Sequence, residues 1–190
     1  KIMPKAEIVS FEANPDNFQV LEKSEIISIA NIKLVNKAVT DENGQLNFNI
    51  IEPTEENEQN KGTSSIRQKK NEAARQVTVD AITIDSFLGE TDCDNIAVWN
   101  DVEGLSYEVL LGAKGIFDKV SVIHAEVETE EFWHGQKLKN DVVALLEEFG
   151  FCSLARGKHD GQHDIVYYNK KMLSPLKGKI KIDLYVSLIL

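Results

Sequence analysis

The chain has 190 residues, of which 42% are hydrophobic, with 31 acidic side chains against 21 basic ones and a formal net charge of -10. This length and apolar share suffice for one domain with a sizeable core, and the acidic surface disfavours nucleic acid and anionic membrane as partners. No run has the length and apolarity of a transmembrane helix, no signal peptide opens the chain, and the two distant cysteines, Cys93 and Cys152, define neither a disulfide framework nor a metal site. A cytoplasmic protein with reduced, partly buried thiols is expected.

In chain order, residues 6–11 form a short apolar strand ending at Glu12. Asn14-Pro15 follows, a good N-cap ahead of a proline at the first helical position, and Phe18, Val20 and Leu21 supply the apolar side of a helix. Residues 31–40 read as a second strand with Ile32, Leu34 and Val39 as its apolar members. Asp41-Glu42-Asn43-Gly44 is a strong turn, and the alternation of Leu46, Phe48 and Ile50 after it predicts a hairpin or an edge excursion. Residues 52–70 are polar and contain Gly62-Thr63-Ser64-Ser65; they read as a solvated loop in which Arg67, Lys69 and Lys70 balance the preceding acids.

Residues 76–84 are strongly β-prone, 85–89 predict a short helical turn, and 90–95 form a polar link into the strand at 98–104. That strand carries Asp101 and Glu103 two residues apart, hence on one face if the strand continues, and Gly104 allows a tight exit. A helix over 105–117 follows, then a strand over 119–127 bearing His124 and tipped by Glu126. Residues 136–149 have helical spacing with Gly150 as the breaker. Residues 151–155 and 164–168 predict an antiparallel pair that closes an otherwise mostly parallel sheet. The expected domain spans 1–170; the apolar tail at 171–190 is expected to pack on the core or to join a homo-oligomer.

Strand–helix units with sparse loops predict a three-layer α/β fold. Its parallel strands bring their carboxyl ends to one edge, where Glu12, the Asp101/Glu103 pair and Glu126 converge. Phe132 and Trp133, in Glu131-Phe132-Trp133-His134-Gly135, either stack on a sugar as part of a lid or anchor their loop in the core, the latter being preferred. His159 and His163 straddle a glycine in a turn-rich connection, which argues against chelation on a helix, and no metal is assigned to Asp101, Glu103 and Glu126.

Three segments carry a resemblance. They are Phe11-Glu12-Ala13-Asn14-Pro15; Asn36-Lys37-Ala38-Val39 with Asp41 and Gly44; and Asp101-Val102-Glu103-Gly104 followed by Glu108-Val109-Leu110-Leu111-Gly112-Ala113. In this combination the chain resembles the FkbM family of S-adenosylmethionine-dependent methyltransferases, over about residues 6–169. The resemblance implies a Rossmann-like three-layer class I methyltransferase fold. The family's opening strand and glycine-rich turn have no counterpart ahead of Glu12, so an N-terminally incomplete domain from a longer protein is expected.

By the same resemblance, Glu12 accepts hydrogen bonds from both ribose hydroxyls of S-adenosylmethionine, as an ionised carboxylate is able to do. Asn14 caps its helix and faces the cofactor edge, Lys37, Ala38 and Val39 lie near the adenine, and Asp101 and Glu103 sit beside methyl donor and acceptor. The implied reaction is methyl transfer to a hydroxyl of a sugar or other small molecule, with Asp101, Glu103 or His124 taking the proton. Two alternatives are a non-catalytic module derived from a methyltransferase and a nicotinamide-dependent oxidoreductase that binds ribose through an acid after its second strand.

Overall fold

The computed structural model describes residues 6–29, 32–51, 64–69, 74–89, 91–157 and 161–172. The expected placements of the 173–190 tail, of His159 and of residues 52–63 and 70 lie outside the described residues.

Strand β1 (Ile8–Phe11) leads through Asn14 into α1 (Pro15–Glu22) as its sequence dictates: the Asn14 side chain accepts from the Asp16 N–H at 2.9 Å, and Pro15 opens the helix. After the short α2 (Glu25–Ile29), β2 (Ile32–Val35) pairs in parallel with β1, in a register that places Phe11 opposite Val35. The strand expected over 31–40 is two strands. The chain breaks at Asn36, whose amide reaches the carbonyl of Glu12 at 2.8 Å, and β3 (Ala38–Val39) joins a different sheet.

That second sheet has β5 (Arg75–Ile82) at its centre, parallel to β3 and antiparallel to β4 (Gly44–Ile50). The 41–44 turn therefore joins strands that are not neighbours, and β4 is the edge excursion rather than half of a tight hairpin. A small core of Ala38, Phe48, Ile50, Val79 and Ala81 fills its buried face.

Helix α3 (Ile84–Leu88), capped by Thr83, ties this sheet to the rest. Asp85 accepts from the N–H groups of Gly115 and Ile116 at 2.9 and 3.1 Å and donates its own N–H to Gly112, while Phe87 meets Phe11 edge-on at 4.9 Å between ring centres.

The third sheet runs β6 (Ile96–Asn100), β7 (Val120–Glu128), β9 (Gln162–Asn169), β8 (Phe151–Arg156). Only the β6–β7 ladder is parallel; β7–β9 and β8–β9 are antiparallel. The closing pair is thus as expected, but the sheets are mixed rather than mostly parallel, with three parallel and three antiparallel ladders among the described strands.

The main core lies between this sheet and the helices α4 (Ser106–Leu111) and α5 (Lys139–Glu148), with Ile123, Ala125, Val127, Ile165 and Tyr167 meeting Val109, Leu110, Val142, Leu145 and Leu146. The helix expected over 105–117 is shorter. It stops at Leu111, and a 3-10 segment over Lys114–Lys119 carries Ile116 and Phe117 into the core. Both cysteines are free, and Cys93 is exposed. Among the described residues no helix is long and apolar enough to cross a membrane.

Candidate active site

Three chain segments far apart in sequence line one cleft of about 160 Å³. Glu12 and Ala13 arrive from the end of β1; Lys37, Ala38 and Val39 from the β2–β3 junction; Asp101, Val102 and Glu103 from the end of β6; and Phe48, Ile66 and Leu105 add apolar wall.

Glu12 is held in place from both sides. Its N–H bonds to Val35, extending the β1–β2 ladder, and its carboxylate accepts the Asn14 N–H at 2.7 Å. Burial raises the Glu12 pKa, opposed by that N–H and by the Asn17 side chain. Asn14 is itself buried and spends its side-chain oxygen on the helix cap, and the Lys37 ammonium turns to Asp80 at 3.4 Å. The backbone of 37–39 and the small side chains of Ala38 and Val39 are what this segment offers the cleft.

The Asp101–Gly104 loop is not a strand. β6 ends at Asn100, whose buried amide donates to Ser106 at 3.2 Å and bends the chain toward α4. Gly104 adopts φ +72°, and a Cβ built there would stand 2.6 Å from the ring of Trp133. Trp133 is 1% exposed, with Gln136 accepting the Phe132 and Trp133 N–H groups, so this aromatic pair anchors the loop and offers no stacking surface through Trp133.

Sequence reasoning missed the residues that hold the loop. Ser65 donates to the Glu103 carbonyl at 2.6 Å. Arg67 donates to the carbonyls of Gly104 at 3.1 Å and His134 at 3.2 Å and pairs with Glu108 at 2.5 Å. The stretch at 64–69, expected to be solvated, is a strap across the site, with further bridges from Ser65 to Asn49 and from Lys69 to Trp133. No periodicity announces such a role; the signal is only a serine and an arginine set in a weakly apolar stretch.

Beside the loop lies a group of carboxylates. Glu126 is not the tip of β7 but sits two residues before its end, with Glu128 last. Burial, followed by the charges of Asp101, Glu103, Glu128 and Asp164, pushes the Glu126 pKa up to about 7. Glu128 is 1% exposed and is likewise pushed up to about 7, chiefly by burial; hydrogen bonds from its own N–H and that of Gly104 oppose the shift. Among the described residues no three His, Cys, Asp or Glu side chains converge on a point that suits a metal ion.

His124 does not line the cleft. It is 5% exposed, stacked under Trp99 with ring centres 4.0 Å apart, and its Nε2 lies 3.5 Å from Asp164. His134 is exposed and His163 is buried.

A larger recess of about 430 Å³ adjoins the cleft across Ile66 and Leu105, but Asn43, Gln45 and Arg67 in its wall are already bonded to Ser86, Asp80 and Glu108. The smaller cleft is the better candidate because it collects the strand ends and the unspent carboxylate capacity of Glu12.

Residues 1–152 match the family described as Methyltransferase FkbM domain. The chain is also similar to the 2-O-methyltransferase NoeI of Sinorhizobium fredii (strain NBRC 101917 / NGR234), 23% identical over 188 residues, covering 90% of this chain and 73% of the relative. No solved structure matches it.

Proposed function

The chain belongs to the FkbM methyltransferase family, and on that premise we propose that it transfers a methyl group from S-adenosylmethionine to a hydroxyl oxygen of a small polyhydroxylated acceptor, within a Rossmann-like three-layer fold. The observation that carries the reading is the meeting of Glu12, the 37–39 segment and the Asp101–Glu103 loop in one cleft.

The residues present suit the ribose and adenine of the cofactor, in a cleft of about 160 Å³ that is smaller than the ~300 Å³ and above of most ligand sites. A carboxylate has about four lone-pair sites; Glu12 accepts from the Asn14 N–H and from the Asn17 side chain, which leaves about two for a vicinal diol. Ala38, Val39, Phe48 and Leu105 form apolar wall for a flat ring. S-adenosylmethionine, when bound, supplies a methyl carbon made electrophilic by the sulfonium.

The chain's own contribution is placement and proton handling. Asp101 and Glu103 stand at the mouth of the cleft, where the strap through Ser65 and Arg67 fixes their loop. The acceptor hydroxyl gives up its proton to this carboxylate group, in which Glu126, near pH 7, is matched to the task. His124, screened by Trp99, is left out of that route.

Calorimetry with S-adenosylmethionine tests the reading. Micromolar binding is expected for the protein, falling at least tenfold in Glu12→Ala, which removes the diol acceptor. A folded full-length protein that does not bind the compound refutes it.

A further inference from the structure

The cleft is lined mainly by negative charge. Among the described residues in its wall, Glu12, Asp101 and Glu103 are carboxylates, against one ammonium, Lys37, which turns to Asp80 at 3.4 Å. Asp101 and Glu103 share the loop that leads from β6 to α4. Behind that loop stand Glu126 and Glu128, on one face of β7 by strand alternation.

Glu126 is fixed by its backbone and by its side chain. Ser106, at the start of α4, donates to its carbonyl at 2.6 Å, and Gln162 on β9 donates to its Oε1 at 3.1 Å. Asp164 lies opposite it in the β7–β9 ladder and meets His124, on the same face of β7, at 3.5 Å. Arg67, which grips the loop at Gly104, is paired with Glu108. The charges that act most on Glu126 are those of Asp101, Glu103, Glu128 and Asp164, all negative; with burial they push its pKa up to about 7.

Glu126 therefore responds to charge in the cleft without lining it. A positive group set against Asp101 and Glu103 offsets two of the charges that keep Glu126 protonated, and its proton leaves. S-adenosylmethionine brings a sulfonium to the site. Its demethylated product, S-adenosylhomocysteine, has a neutral thioether in the same place. The two are otherwise alike, so Glu12 and the apolar wall treat them equally.

We propose that Glu126 distinguishes the charged methyl donor from its neutral product by proton exchange, being ionised with the donor in the cleft and protonated with the product. The proposal rests on the methyl-transfer reading and adds to it how the spent cofactor is released. Glu126 takes up the acceptor's hydroxyl proton as that oxygen bonds the methyl carbon and the C–S electron pair returns to sulfur. The positive charge vanishes in that step, so Asp101 and Glu103 again favour the protonated form of Glu126. The site then holds the product without the attraction between cation and carboxylates that held the donor.

Calorimetry on the full protein at about pH 6.5 tests it, with S-adenosylmethionine and S-adenosylhomocysteine each titrated in cacodylate and in imidazole. These buffers differ in ionisation enthalpy, so the difference in heat counts the protons exchanged on binding. About half a proton more should leave per S-adenosylmethionine bound than per S-adenosylhomocysteine bound. From about pH 5.5 to 7, affinity for the donor should rise about fourfold relative to affinity for the product. Glu126→Gln keeps the oxygen that accepts from Gln162 and removes the titration. It should abolish the difference in proton release and flatten the affinity ratio, with product affinity within twofold of the parent. Equal proton exchange with both compounds in the parent overturns the proposal and leaves the methyl-transfer reading intact, as does a difference that persists in Glu126→Gln. If neither compound binds the parent, the methyl-transfer reading falls and the proposal with it.

Discussion

Arg67 donates through Nε to the carbonyl oxygen of Gly104 at 3.1 Å, joining residues that lie 37 apart in sequence. The same guanidinium reaches the His134 carbonyl and the Glu108 carboxylate, so one planar fork ties the 64–69 strap to the Asp101–Gly104 loop, the 132–136 segment and α4. A lysine holds a point charge and cannot reproduce the fork.

The first prediction follows from that geometry. Arg67→Ala should cost about 2–4 kcal/mol of stability, because it leaves a half-buried Glu108 and two carbonyls without their donor. Arg67→Lys should recover part of the stability, through Glu108, while S-adenosylmethionine binding remains weakened, because the Gly104 contact is not restored. Urea denaturation and calorimetry on the two variants separate these effects. Equal cofactor affinity in parent and Arg67→Lys would show that the strap does not position the loop.

Gly104 supplies a second prediction. Its φ of +72° disfavours any side chain, and an added Cβ would stand 2.6 Å from the Trp133 ring. Gly104→Ala should therefore destabilise by about 2–4 kcal/mol, combining backbone strain with overpacking. Removing the ring in Gly104→Ala/Trp133→Ala should give less than the sum of the two single losses, because the contacts with Trp133 Cγ and Cδ1 are relieved and the backbone part is not. A double-mutant cycle from denaturation midpoints reads this directly.

What the sequence discloses about this site divides along physical lines. Asn14-Pro15 and the acid after β1 are local signals, and the helix cap formed as read because it needs only neighbouring residues. The meeting of Glu12 with Asp101 and Glu103 was expected from strand ends sharing an edge, and the cleft collects these three, while Glu126, expected beside them, does not line it; Ala38 was placed there by the family resemblance alone. The break at Asn36 was hidden, since Ile32 to Val39 is continuously β-prone and only a long-range bond from Asn36 to Glu12 parts the strands. Arg67 and Ser65 were equally hidden, because their partners lie 37 to 67 residues away. Trp99 and Trp133 look alike in sequence; packing alone buries the second and leaves the first 64% exposed.

The last prediction concerns pH. Glu126 and Glu128 both have carboxyl pKa values raised to about 7, against about 4.5 for an exposed glutamate, and Glu12 is raised in the same direction. Below about 4.5 these groups are protonated in both folded and unfolded chains and cost nothing. Between about 4.5 and 7 the folded protein holds protons that the unfolded chain releases, so stability must fall as pH rises through that window. Above about 7 the buried carboxylates are ionised and the full cost is present. Glu128 is the sharper probe, being 1% exposed with Oε1 lacking a hydrogen-bond partner among the described residues. Glu128→Gln keeps the shape and removes the charge. It should melt later than the parent at pH 8, by the equivalent of about 1–3 kcal/mol, and the gap should close toward pH 4.5. Thermal melts from pH 4.5 to 8.5 check this. A gap that is independent of pH would mean that Glu128 is not the group that titrates. Glu126→Gln makes the complementary test on activity: the rising limb of the parent's pH–rate profile near 7 should disappear along with most of the rate, because the proton acceptor and its titration are lost together.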